Sequence, residues 1–207
     1  TNSPKNYRIR WTGEWETCRN VEKKTCELGL LGISATTFDK YATLHATLSE
    51  SYVRYDFNSI KIFNKIGENF YKILPEEIDC EYTVTEFPEE GYTLIQTEDY
   101  LNELKLQIKQ TDTLQSQFTL FGISLENDNP GVVYHDVGIN GARIPSFLTC
   151  SNLEKETELI QPDLVILSLG TNDTYTTNFK PEYYKRNYKQ LIQQIRRASP
   201  EAAILIT

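Results

Sequence analysis

Hydrophobic and polar residues alternate with a period of two along roughly the first 125 residues of the chain. Tyr7, Ile9 and Trp11, for example, alternate with arginines. This period is typical of strands that turn one face to a core and the other to solvent. About ten short strands, spaced about ten residues apart, predict an antiparallel β-sandwich or jelly roll. The predicted strands cover residues 7–11, 29–36, 42–48, 51–57, 59–64, 69–74, 81–86, 92–97, 104–109 and 117–124.

The pattern changes after a turn-rich stretch at residues 126–131 and becomes an alternation of strands and helices. Apart from Asp163 and Ser168, residues 163–169 are apolar, as expected of a parallel strand with both faces covered by helices. A doubly wound sheet has about five or six strands, so three strands make a small unit and we expect part of this domain to lie outside the sequence. The predicted elements are strands at 132–137, 163–169 and 202–206, a helix at 145–160 and a helix from Pro181.

The predicted fold class is therefore α/β plus all-β. An antiparallel, jelly-roll-like β-sandwich is followed by a partial three-layer α/β/α domain with a parallel sheet. We place the sandwich at residues 21–127 and the α/β domain at 128–207, with residues 1–20 as an entry segment and linker.

Charge and hydropathy narrow the classes of partner. Lys and Arg number 21 against 29 Asp and Glu, and the formal net charge of -8 argues against nucleic acid because phosphate backbones would be repelled. Neutral sugars and esters fit better. No apolar run approaches the roughly 18 residues of a membrane-spanning helix, so we expect no membrane insertion.

The four cysteines are Cys18, Cys26, Cys80 and Cys150, and they include no Cys-x-x-Cys pair. Only two histidines are available to complete a metal site, so zinc is not expected. Cys18 and Cys26 either close a short loop through a disulfide, as in an exported protein, or remain buried free thiols. Both alternatives stay open at this stage.

Two loops follow predicted strands at the edge where open parallel sheets bind ligands. The first is Gly-Ile-Asn-Gly-Ala-Arg at residues 138–143, and the second is Gly-Thr-Asn-Asp-Thr at residues 170–174. Neither has the third glycine of a dinucleotide motif or the Lys-Ser/Thr of a P-loop. The backbone N–H of Gly141 and the carboxamide of Asn172 are instead the donor types that stabilise an oxyanion during acyl transfer. The alternatives are a turn glycine at 141 and a helix cap or turn residue at 172.

These loops carry a family resemblance. Leu-Ser-Leu-Gly-Thr-Asn-Asp at residues 167–173 resembles the Gly-x-Asn-Asp block of the SGNH (GDSL-type) hydrolases, and Val-Gly-Ile-Asn-Gly-Ala at 137–142 resembles their glycine block. Residues 124–141 are similar to a bacterial subgroup, including peptidoglycan O-acetylesterases, in which a β-sandwich resembling a carbohydrate-binding module is inserted into the hydrolase. The resemblance implies that Gly141 and Asn172 form the oxyanion hole, with no cofactor or metal. It also implies that residues 1–17 are the tail of a first hydrolase segment.

The sequence departs from the family in its nucleophile and base. It contains neither a Gly-Asp-Ser block nor an Asp-x-x-His block. The resemblance therefore implies a serine ester hydrolase acting on an acylated glycan or small ester, with its serine, histidine and aspartate on missing segments of its own polypeptide. This chain alone would be inactive. A secreted, periplasmic or cell-envelope location follows from the resemblance alone.

Other candidate residues have structural interpretations. We expect Asp173 to point away from the oxyanion site and bind backbone, because a carboxylate there would oppose the developing charge. His45 and His135 lie in predicted strands, and Ser124 lacks the glycine of a nucleophile elbow, so none is assigned to catalysis. Most aromatics are assigned to the sandwich core, and exposed Trp11 or Trp15 are better candidates for sugar stacking or interdomain packing.

A second hypothesis is a noncatalytic module, in which the sandwich binds glycans and the α/β part supports it. A purely structural interaction protein is a third. Assaying ester hydrolysis by this chain and by a longer version separates the first two.

Overall fold

The alternating segments form antiparallel strands in two sheets. The structure is a computed structural model that describes residues 7–48, 55–65, 71–114, 116–175 and 177–207. One sheet has the order β1-β4-β9-β6 and the other β2-β3-β10-β5-β8-β7. The bounds are β1 Tyr7–Thr12, β2 Glu16–Arg19, β3 Ile33–Thr37, β4 Tyr41–Leu48, β5 Phe57–Asn64, β6 Tyr71–Glu76, β7 Tyr82–Phe87, β8 Tyr92–Leu101, β9 Glu103–Gln110 and β10 Phe118–Glu126.

The two sheets share one apolar core. Leu44 on β4 and Leu106 on β9 come from one sheet, and Ile60 on β5 and Ile95 on β8 come from the other. All four side chains are almost fully buried. Facing sheets whose inward residues interdigitate in this way make a β-sandwich, which confirms the predicted fold of this part.

Most predicted strands form within a few residues of their expected bounds. Of the segments predicted at 51–57 and 69–74, residues 51–54 and 69–70 lie outside the described part of the chain; the remainder leads into β5 and β6. The four-residue strand β2 was not predicted, because so short a segment carries no readable alternation.

The helices of the described chain lie after the sandwich strands. They are α1 Ile144–Leu148, α2 Leu153–Ile160, α3 Thr171–Thr174 and α4 Pro181–Ala198. Strands β11 Leu164–Leu167 and β12 Ala203–Ile206 form a parallel pair, and α4 is the crossover between them. Leu167, Leu191 and Ile195 lie in the core that joins α4 to this sheet. The predicted partial α/β domain with a parallel sheet is confirmed.

Three expectations for this region are wrong. Residues 132–137 form no strand in the described structure, and Val132 is 93% exposed; an apolar run without a neighbouring strand gains no ladder hydrogen bonds and buries no surface. The predicted helix at 145–160 is two helices, because the amide of Asn152 binds the carbonyl of Leu28 at the break. The strand at 163–169 is covered on one face only, leaving Leu164 and Ile166 about half exposed.

The described chain divides into two compact units, one with residues 7–16 and 35–134 and the other with residues 17–34 and 135–207. This differs from the predicted boundaries, which assign residues 17–34 to the linker and the sandwich. The segment belongs to the second unit because its backbone binds α2: the amide of Leu30 donates to the carboxylate of Glu156 over 2.7 Å. No sequence pattern signals such a contact between distant segments.

Cys18 and Cys26 form a disulfide in this segment, while Cys80 and Cys150 are free. The bridge closes a loop with a sequence separation of 8 and thereby restricts the unfolded chain. We expect Cys18→Ser/Cys26→Ser to lower the free energy of unfolding of the second unit by about 2 kcal/mol. Urea titrations followed by helical circular dichroism would measure this, with Cys80→Ser as the control. Equal stability of the double variant and the parent would contradict the prediction.

Candidate active site

The glycine loop of the second unit contains a tight turn. The amide of Ala142 donates to the carbonyl of Ile139 over 3.0 Å, and Gly141 has a φ of 83°. A positive φ at the third position is typical of a type II turn and favours glycine there. Added side-chain atoms would meet nothing within 4 Å of Gly141, so backbone conformation rather than close packing requires glycine. This conformation suits the turn interpretation of Gly141 and leaves its amide free of hydrogen bonds to the described residues.

Asn172 contacts this turn directly. Its Nδ2 donates to the carbonyl of Ala142, the residue after Gly141, over 3.0 Å. A carboxamide nitrogen carries two N–H groups, so one remains available to another acceptor. Asn172 is in the first turn of α3, and Gly170 takes the N-cap position, so Asn172 is not the helix cap that was the alternative interpretation. The structure thus brings together the loops that carry the two predicted oxyanion donors.

Asp173 binds backbone in the neighbouring loop. Both carboxylate oxygens lie 3.2 Å from the amide nitrogen of Ile144, the first residue of α1. Partial burial raises the pKa of Asp173, while the Ile144 amide and the positive charge of Arg143 act in the opposite direction. The expectation that this carboxylate serves backbone structure is confirmed.

Two tyrosines on α4 hold the end of β11 where the second loop begins. The hydroxyl of Tyr188 donates to the carbonyl of Leu167 over 3.1 Å, and that of Tyr184 to Leu169 over 3.4 Å. Gly170 has a φ of 135°, and a Cβ there would lie 2.6 Å from the Tyr184 hydroxyl oxygen. Sequence reasoning missed this role, because both tyrosines fit the apolar face of α4; their hydroxyl groups were the available signal.

The histidines and Ser124 are not part of these loops. His45 is in the sandwich, with its Nε2 2.5 Å from a carboxylate oxygen of Glu103. Ser124 is buried in β10, where its hydroxyl donates to Glu126. His135 is exposed in an irregular segment, which corrects its predicted place in a strand. Among the residues that the structure describes, none of these three binds a residue of the oxyanion loops.

The sandwich carries its own surface features. Trp11 is 46% exposed and stacks on Trp15, with ring centroids 5.6 Å apart. A cavity of about 360 Å³ lies elsewhere in the same unit and includes Tyr100 and Lys105 among several carboxylates. In the described ranges, no group of three His, Cys, Asp or Glu side chains could hold a metal ion.

Comparison with known proteins relates the second half of the chain to a family of hydrolases. Residues 109–207 match the model of the GDSL-like Lipase/Acylhydrolase family. This part of the chain is therefore related to the SGNH-type hydrolases, which confirms the resemblance carried by its two loops. No curated protein matches the sequence.

A solved structure shares the fold of this chain. A peptidoglycan O-acetylesterase matches with a TM-score of 0.66 and 22% identity, over 96% of this chain and 52% of its own. The chain thus spans about half the length of that structure. A family two carbohydrate esterase from Cellvibrio japonicus matches at a TM-score of 0.31 and 12% identity, covering 93% and 78% of the two chains. The Streptococcus pneumoniae β-galactosidase BgaA matches at a TM-score of 0.39 and 6% identity, and the match covers 60% of this chain and 99% of the other. Neither of these last two likenesses supports an inference.

Proposed function

We propose that this chain carries the oxyanion site of a carbohydrate-active serine ester hydrolase, which removes acetyl or other small acyl groups from a glycan. The observation that supports the proposal is the contact of Asn172 with the Gly141 turn, because the Asn172 side chain binds the residue that follows Gly141. The family match over residues 109–207 supports ester hydrolysis, and the fold shared with a peptidoglycan O-acetylesterase supports a glycan ester as substrate.

The proposed mechanism uses a serine and a histidine from polypeptide outside these 207 residues. The serine oxygen attacks the acyl carbonyl carbon, and the histidine accepts the serine proton. The carbonyl oxygen becomes an oxyanion, which the Gly141 N–H and the second Asn172 N–H stabilise. Collapse breaks the bond to the sugar oxygen, which takes the proton from histidine. Water then hydrolyses the acyl-enzyme and releases the acid.

The one-sided parallel sheet fits this proposal. Leu164 and Leu205 are about half exposed on the face that the described helices leave uncovered. Apolar surface of this kind favours burial against further protein, and the same protein would exclude water from the oxyanion donors. Exclusion of water strengthens these hydrogen bonds in the transition state.

We further propose a secreted, periplasmic or cell-envelope location. A disulfide between Cys18 and Cys26 is typical of oxidising compartments. An enzyme acting on cell-wall or dietary glycan meets its substrate there. Within the described residues, no helix is long and apolar enough to cross a membrane.

Hydrolysis of p-nitrophenyl acetate tests the proposal on two proteins. One is this 207-residue chain, and the other, called the extended protein below, adds the natural flanking polypeptide at both ends. We expect saturable hydrolysis by the extended protein and none by the shorter chain. Activity in neither would contradict the proposal and favour a noncatalytic glycan-binding sandwich. That second function has its own support, because the sandwich has a separate core and exposes Trp11.

A further inference from the structure

The two oxyanion loops come from separate parts of the second unit. One is the turn at residues 139–142, and the other follows β11 at residues 170–174. In the portion of the chain that the structure describes, the hydrogen bonds between these loops come from two adjacent side chains. Asn172 binds the carbonyl of Ala142, and Asp173 binds the amide of Ile144. The relative position of the loops therefore depends on these side chains.

Asn172 and Asp173 bind different backbone groups of the first loop and of the helix that follows it. Ala142 and Ile144 are both buried, and Ile144 is completely so, at 0% exposure. The Asp173 carboxylate thus ties the loop after β11 to a residue that the core holds in place. Asn172 binds the carbonyl of Ala142, which is two residues before Ile144 and directly follows Gly141. A displacement of Asp173 would move the Asn172 carboxamide relative to the amide of Gly141.

We propose that Asp173 is a positioning residue of the oxyanion site, which sets the separation between the Asn172 carboxamide and the Gly141 N–H by holding the amide of Ile144. This inference rests on the proposed function of the site and adds a residue to it. Asp173 makes no contact with the substrate and transfers no proton. Its effect on the rate is exerted through Asn172.

What the loop needs from Asp173 is a hydrogen-bond acceptor. Burial disfavours the charged carboxylate and raises its pKa, although the Ile144 amide and Arg143 act in the opposite direction, so we expect a neutral acceptor to serve in its place. An asparagine has the same shape and keeps one oxygen that accepts from the Ile144 amide. An alanine would leave that amide without a partner and release the loop.

The test compares steady-state kinetics of variants of the extended protein on p-nitrophenyl acetate. We expect Asp173→Ala to lower kcat roughly tenfold with little change in KM, since misplaced catalytic groups slow the chemical step. Asp173→Asn should retain most of the parental kcat. Asp163→Ala is the matched control and should keep the parental kcat, because this aspartate lies before β11, is exposed, and its side chain forms no hydrogen bond within the described residues. Thermal melts of each variant show whether it is folded.

A double variant separates positioning from general structural damage. If Asp173 acts through Asn172, Asp173→Ala should lower kcat less than about twofold when Asn172→Ala is already present. A full tenfold loss in that background would overturn the proposal, as would parental kcat in Asp173→Ala or a tenfold loss in Asp173→Asn. An unchanged kcat in Asn172→Ala would instead refute the proposed function itself. The two failures are therefore distinguishable.

Discussion

Replacing Asn172 by alanine in the extended protein is expected to lower kcat by roughly 10²- to 10³-fold. The physical reason is the loss of one donor to the oxyanion, at a site where the other donor is a single backbone N–H. The substrate carbonyl carries little negative charge before attack, so the lost hydrogen bond affects mainly the transition state. KM should therefore change much less than kcat.

Two further variants test whether the loss is specific to the Asn172 donor. Asn172→Asp keeps the shape of the side chain but replaces its donor by an acceptor, so we expect a loss at least as large as in Asn172→Ala. Gln190→Ala removes a carboxamide from an exposed position on α4 and should leave kcat unchanged. Parental kcat in Asn172→Ala would remove this residue from catalysis. An equal loss in Gln190→Ala would show that the effect is not specific to the site.

Glu156 should make the stability of the second unit depend on pH. Its side chain is 6% exposed, and burial raises its pKa from 4.5 to about 7, even though the Leu30 amide donates to it. A folded-state pKa above the unfolded value means that the native state binds the proton more tightly. The stabilisation is therefore complete below about pH 4.5 and is lost as the pH rises through 7.

The size of this effect can be measured against a variant that does not titrate. A rise in pKa from 4.5 to about 7 corresponds to about 3 kcal/mol. Glu156→Gln can still accept a hydrogen bond from Leu30 and carries no charge at any pH. We expect the free energy of unfolding of the parent to fall by about 3 kcal/mol relative to Glu156→Gln between pH 4.5 and pH 8.

Urea denaturation at several pH values would measure the difference. The described helices all lie in the second unit, so helical circular dichroism reports on it, whereas Trp11 and Trp15 report on the sandwich. Glu158→Gln, at an exposed position of the same helix, is the matched control and should follow the parent at each pH. A constant difference between Glu156→Gln and the parent across this range would contradict the prediction.

The sandwich and the loop after β11 were predictable because their signals are local. A strand with one buried face places apolar residues at every second position, so the period of residues 104–109 or 42–48 indicates both the strand and its inner side. Gly-Thr-Asn-Asp directly after an apolar strand indicates a polar loop at a sheet edge. The hydrogen bond between Asn172 and Ala142 could not be predicted, because the two residues are far apart in the sequence.

The features that sequence reasoning missed depend on contacts between distant segments. Residues 132–137 have the composition of a strand, but pairing requires a neighbour that composition does not specify. The break between α1 and α2 depends on the Leu28 carbonyl, more than 100 residues earlier in the chain. Residues 17–34 belong to the second unit because Leu30 binds Glu156, which is also more than 100 residues away in the sequence.

In the proposed function, the Gly141 amide and the Asn172 carboxamide face one position where an oxyanion forms. A crystal structure of the extended protein, with its serine modified by a phosphonate ester, measures this directly because the phosphonyl oxygen mimics that oxyanion. We expect this oxygen to lie about 2.7 to 3.1 Å from both the Gly141 nitrogen and Asn172 Nδ2. A phosphonyl oxygen held by other donors, with either of these nitrogens beyond hydrogen-bond distance, would contradict the account.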